Sequence, residues 1–228
     1  MRVTRELASP VLRTLPWRAV AAGGGLGLVI AGVQRFAGGE PDAWAALVLL
    51  RSAILAHALG LAFLLDDPAR HTTAAVPVRR PVRTALRLGY AVALTALWWT
   101  ALLLLVPSEV RPPVGDITLE AATACALALA IGALAPRLTD EPRPGPSVAA
   151  TVLFTAVVAP LLLPDRWALF VSVQDDRWGA AHIRWAWLLV GTAAALTLCI
   201  PEPLRRRALS LRRGPFQRGP ASSSPSGV

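Results

Sequence analysis

Few side chains in this chain could do chemistry, and their spacing decides which chemistry is open to them. The adjacent carboxylates Asp66 and Asp67 would hold magnesium and a diphosphate if they began a D-D-x-x-D motif, but the position of the third acid is Arg70. The histidines His57, His71 and His182 stand far apart, which gives no metal-ligand spacing. Every basic residue is Arg and none is Lys. Phosphate binding by a P-loop lysine and Schiff-base catalysis are therefore closed. The patterns H-E-x-x-H and G-x-S-x-G are also missing. Cys125 and Cys199 each lie in an apolar run, where single thiols usually serve as small packing residues. These residues predict no enzyme, no catalytic residue and no metal or cofactor site in this chain.

The remaining candidates are ionisable groups inside apolar runs. Arg51 and His57 both fall in the run 43–65, and Glu120 falls in the run 117–135. A charge at the centre of a spanning helix costs roughly 2.5–3.5 kcal/mol, so such a group needs a partner or a route to the interface. Arg51 and His57 are about 120° apart on a helix, so they do not form one constellation. Arg51 and Glu120 stand near the same end of their runs, which predicts an intramembrane polar pair. His57 reads as a hydrogen-bonded core residue.

The elements that would position these groups are membrane helices. Hydrophobic residues make up 54% of the 228 residues, and charges gather outside the apolar runs. The pattern predicts an all-α, polytopic membrane protein with six transmembrane helices at about 17–36, 43–65, 84–106, 117–135, 148–164 and 183–200. Residues 1–16 form a basic N-terminus, and 201–228 a basic, disordered tail. Gly23, Gly27 and Ala31 recur every four residues, a spacing that lets another helix approach closely in lipid. Pro160 would kink the fifth run. Residues 165–182 are too polar to span, yet they carry Trp167, Phe170 and Trp178, which suits an interfacial or partly re-entrant segment.

Orientation follows from arginine. With both termini in the cytoplasm, seventeen arginines fall on the inner side and five on the outer side, with Arg51 inside a span. This places the chain in the cell membrane as a multi-pass protein. The net charge of +9 flanks apolar runs instead of forming one patch with interleaved aromatics. That pattern favours a bilayer with anionic headgroups and predicts no nucleic-acid partner.

The longest polar break in the first half of the chain is the loop 64–88. Asp67 followed by Pro68 is a helix start, because Asp accepts free N–H groups and Pro suits the first helical position. Val76 before Pro77 ends it. The short helix 68–75 has about two turns and needs a surface to lie on.

This layout resembles the membrane (permease) subunits of ABC-2-type ABC transporters. Those have six spans, cytoplasmic ends, a coupling helix between the second and third spans, and a re-entrant segment between the fifth and sixth. The text FLLDDPARHTTAAVPVRRPVRTALRL, residues 63–88, looks like that of actinobacterial proteins of this kind. The resemblance implies that Asp66, Asp67, Pro68, Arg70 and His71 belong to a docking helix for a separate cytoplasmic ATP-binding subunit. It implies a second membrane subunit, forming a homo- or heterodimer, and export of an apolar or amphipathic substrate. ATP and magnesium would be held by the partner alone. The other expectation is a non-transporting membrane scaffold or accessory subunit, anchored through the loop and the basic tail.

Overall fold

The structure is a computed structural model, and it describes residues 15–36, 42–65, 80–139, 141 and 143–199. Among the described residues it is helical, without strands. The α-helices are α1 (Trp17–Phe36), α2 (Ala43–Leu61), α3 (Arg80–Leu105), α4 (Val114–Leu138), α5 (Gly145–Leu162) and α6 (Trp178–Cys199). Short 3-10 turns occur at Ser108–Val110 and Asp165–Trp167. Five helices, α2 to α6, are long and apolar enough to cross a membrane. The apolar part of α1 is shorter, Trp17–Val33. The chain is thus a multi-pass membrane protein of α-helices, the arrangement that satisfies every backbone group within its own segment.

About half of the apolar windows of α2 (56%) and α4 (50%) is buried, against 22% for α3 and 17% each for α5 and α6. The first two therefore form the centre, and the others present apolar faces outward. Phe154, Leu161 and Leu162 of α5 and Ile183, Trp187 and Leu198 of α6 are exposed, as lipid-facing positions would be.

α1 packs most closely on α2, and glycine is the reason. A Cβ on Gly23 would stand 2.5 Å from the Ala56 carbonyl oxygen, and one on Gly60 would stand 2.9 Å from the Ala19 oxygen. One on Gly27 would meet the Ala53 oxygen at 2.9 Å. Ala31, on the same stripe, is buried with Ala46, Leu47 and Leu50. The small-residue face of α1 is thus used within the chain. α3 stands off and reaches inward with large side chains. Trp98 donates its indole N–H to the Gly24 carbonyl at 2.8 Å, and Trp99 donates to Thr118 Oγ1 at 2.9 Å. Ala58, Ala62, Ala128, Val148 and Val152 join α2, α4 and α5 in a further core.

Several helix bounds differ from hydropathy expectations. α3 runs Arg80–Leu105, with a membrane-crossing part Thr84–Leu105 that starts where the third span was expected, and α4 runs Val114–Leu138 instead of 117–135. α5 covers Gly145–Leu162 instead of 148–164, and α2 ends at Leu61 instead of 65. α6 begins at Trp178 instead of 183, which moves His182 into the helix. Polar contacts support that early start. The Trp178 N–H donates to the Asp175 carbonyl at 2.9 Å, and the Trp178 indole donates to Asp116 Oδ2 at 2.6 Å, tying the first turns of α6 and α4 together. A hydropathy window sees only the polarity of that turn.

Candidate functional site

The starts of α2, α4 and α6 share one end of the bundle, and three ionisable groups meet there. Arg51 of α2 grips Glu120 of α4 with two hydrogen bonds. Its Nε donates to Oε2 at 2.8 Å and its Nη2 donates to Oε1 at 2.7 Å. The Glu120 side chain is only 3% exposed and that of Arg51 13%. The fork geometry matters, because a buried carboxylate is tolerated when both oxygens are satisfied by a charge-assisted donor. His182 of α6 completes the group, with Nε2 standing 3.2 Å from Glu120 Oε1.

The tautomer of His182 follows from its other nitrogen. Nδ1 lies 2.9 Å from the Trp178 carbonyl oxygen, which has only lone pairs to offer, so Nδ1 carries the hydrogen. Nε2 then faces a carboxylate oxygen, and the alignment of that contact is not a hydrogen bond. The contact is attractive only when Nε2 also carries a proton. Beside it, the Trp178 ring lies 4.3 Å from the imidazole, centroid to centroid.

The chain between α5 and α6 turns back over this cluster. Arg51 Nη1 donates to the Val171 carbonyl at 3.1 Å, and the Phe170 ring lies 5.3 Å from the guanidinium carbon. The Trp185 indole donates to the Leu169 carbonyl at 3.0 Å, and Phe170 meets the Trp185 ring edge-on at 5.4 Å. Arg184 donates to the carbonyls of Ala168 and Arg166 at 2.8 and 2.7 Å. Side chains of α2 and α6 thus satisfy the carbonyls of Arg166, Ala168, Leu169 and Val171 in the connection between α5 and α6. Val171 is buried. Nearer α6, Arg177 holds Asp175 through its guanidinium and its backbone N–H, which lowers the Asp175 carboxyl to about 2.

The other candidates lie elsewhere. His57 stacks on Trp98 at 4.0 Å, and its Nε2 is 3.0 Å from Thr95 Oγ1, so it belongs to the packing of α2 on α3. Cys125 and Cys199 are free thiols. Among the described residues, no group of His, Cys, Asp and Glu could hold a metal ion. Asp66, Asp67, Pro68, Arg70 and His71 lie outside the described residues, as does the expected helix 68–75.

Arg51 and Glu120 form the pair expected from the sequence, and the structure adds His182, Trp178, Asp116 and the Val171 carbonyl to it. One signal was available for part of this. Trp178 and His182 are four residues apart, the spacing of neighbours on one helical face, which would have argued for a helix start before His182. No sequence signal could have identified the carbonyl of Val171, since every residue carries one. Comparisons with protein-family models, with curated proteins and with solved structures find no match to the chain.

Proposed function

We propose that this chain is a six-span membrane subunit of an ABC-type transporter, with both termini in the cytoplasm, moving an apolar or amphipathic substrate outward. The observation that carries the reading is the segment 163–177, which folds back onto the bundle between α5 and α6 and is gripped by Arg51, Arg184 and Trp185. A returning segment at that place is what the resemblance to ABC-2-type membrane subunits implies. Five spanning helices and the apolar helix α1 support a count of six. The excess of arginine at the opposite end supports cytoplasmic termini. The chain itself would hydrolyse no ATP. A separate ATP-binding subunit would dock on the loop 66–83, and a second membrane subunit would complete the path. The exposed apolar faces of α5 and α6 suit the alternative as well, a scaffold subunit that packs against other membrane proteins.

The test is purification from native membranes in mild detergent, with the co-purifying proteins identified by mass spectrometry. An ATP-binding subunit, lost when Arg70 is replaced by Glu, is the expected result. Companions without any ATPase would favour the scaffold.

A further inference from the structure

The two arginines beside the returning segment have a charge problem that the Arg51 cluster does not share. Arg184 spends two of its N–H groups on the carbonyls of Ala168 and Arg166, and its guanidinium lies 5.6 Å from the centre of the Trp167 ring. Neutral carbonyls and a ring face orient a cation without cancelling its charge. Among the described residues, no carboxylate pairs with Arg184 or Arg166. Of the acids nearby, Asp175 is paired with Arg177. Arg166, Trp167 and Arg184 line an open groove of about 420 Å³. Two guanidiniums and one aromatic ring around an open groove, at the end of a membrane helix, suit a phosphate group.

The face of α6 below the groove indicates which kind of phosphate. Positions 184, 187, 188 and 191 share one side of a helix, since residues three, four and seven apart are neighbours. Trp187 is 72% and Leu188 42% exposed there. Gly191 follows, and a Cβ on it would have nothing within 4 Å. The side of α6 that continues from Arg184 is therefore apolar and exposed, with open space at Gly191. A soluble anion would use the arginines and ignore that apolar side. A lipid would use both.

We propose that Arg166, Trp167 and Arg184 form a binding site for the phosphodiester headgroup of an anionic phospholipid, whose acyl chain lies along Trp187, Leu188 and Gly191. Arg166 is the freer of the two cations and supplies the charge that selects an anionic headgroup over a zwitterionic one. Arg184 is held in place by its carbonyl contacts and presents its remaining N–H groups. The site stands on the membrane character of the chain alone, and the transporter reading is not needed for it.

Native mass spectrometry of the full chain in mild detergent tests this, with phosphatidylglycerol and phosphatidylcholine offered together and inorganic phosphate offered separately. Retention of phosphatidylglycerol over phosphatidylcholine is expected. Arg166→Gln should lower it roughly fivefold, the effect of one basic residue near a lipid surface. Gly191→Leu, which places a side chain in the open space the acyl chain would occupy, should also lower it. Arg143→Gln, an exposed arginine at the other end of the bundle, should leave it unchanged. Melting temperatures of all three variants should match that of the parent. Equal retention of the two lipids, or equal effects of Arg166→Gln and Arg143→Gln, would overturn the site. So would phosphate binding that depends on Arg166 without any retained phosphatidylglycerol, since that marks a site for a soluble anion.

Discussion

Arg51 is a charge in an apolar helix, and its surroundings explain how it is tolerated. Three of its nitrogens donate, two to Glu120 and one to Val171, and an aromatic ring covers it. Such a pair need not stabilise the bundle relative to apolar residues, because taking both charges out of water is costly. Breaking it from one side is another matter. Glu120→Gln leaves Arg51 without its counter-charge and should cost about 3–5 kcal/mol. The double variant Arg51→Met, Glu120→Leu should recover most of that loss. Thermal melting in detergent reads both, and strictly additive losses would show that the two residues do not act as a pair. The pairing itself was legible in the sequence, because the runs that hold Arg51 and Glu120 start from the same side of the bundle. The third member was not, because hydropathy placed His182 before its helix began.

At the scale of elements, α1 and α2 form the tightest pair, through glycine on both sides. Backbone meets backbone at Gly23 and Gly60, so no side chain can yield to make room. Gly23→Leu should therefore force the helices apart and lower stability by about 1–3 kcal/mol, the usual cost of overpacking. Gly25→Leu should be nearly neutral, since a Cβ at Gly25 meets nothing within 4 Å. Melting of the two variants side by side separates close packing from a general dislike of leucine in α1. The spacing of Gly23, Gly27 and Ala31 pointed to a close helix neighbour, with a helix of the same chain favoured over a second copy, and the contacts to Ala53 and Ala56 are of that kind. The return of the segment 163–177 was legible only as a polar, aromatic-rich stretch. What holds it down is a set of contacts to Arg51, Arg184 and Trp185, whose side chains come from two other places in the chain.

For the whole molecule, the cluster and the returning segment lie at the end where α2, α4 and α6 begin. In the proposed orientation that end faces outward. A cysteine at exposed Ser108, in the turn between α3 and α4, should then react with a membrane-impermeant thiol reagent in intact cells. A cysteine at exposed Thr139, after α4, should react only after the membrane is opened. The reverse pattern would invert the topology, put the loop 66–83 outside the cell and overturn the docking of a cytoplasmic ATP-binding subunit. The sequence by itself determined that the chain is helical and membrane-embedded, because hydropathy and charge are sums over neighbouring residues and need no knowledge of distant contacts. It also limited the chemistry, since lysine and a metal-ligand spacing are lacking. Only the tertiary structure decided which helices are central, that His182 joins Arg51 and Glu120, and that carbonyls of the returning segment complete the site. Those contacts link residues far apart in the chain, such as Arg51 with Val171, and depend on how whole helices pack, which local pattern does not encode.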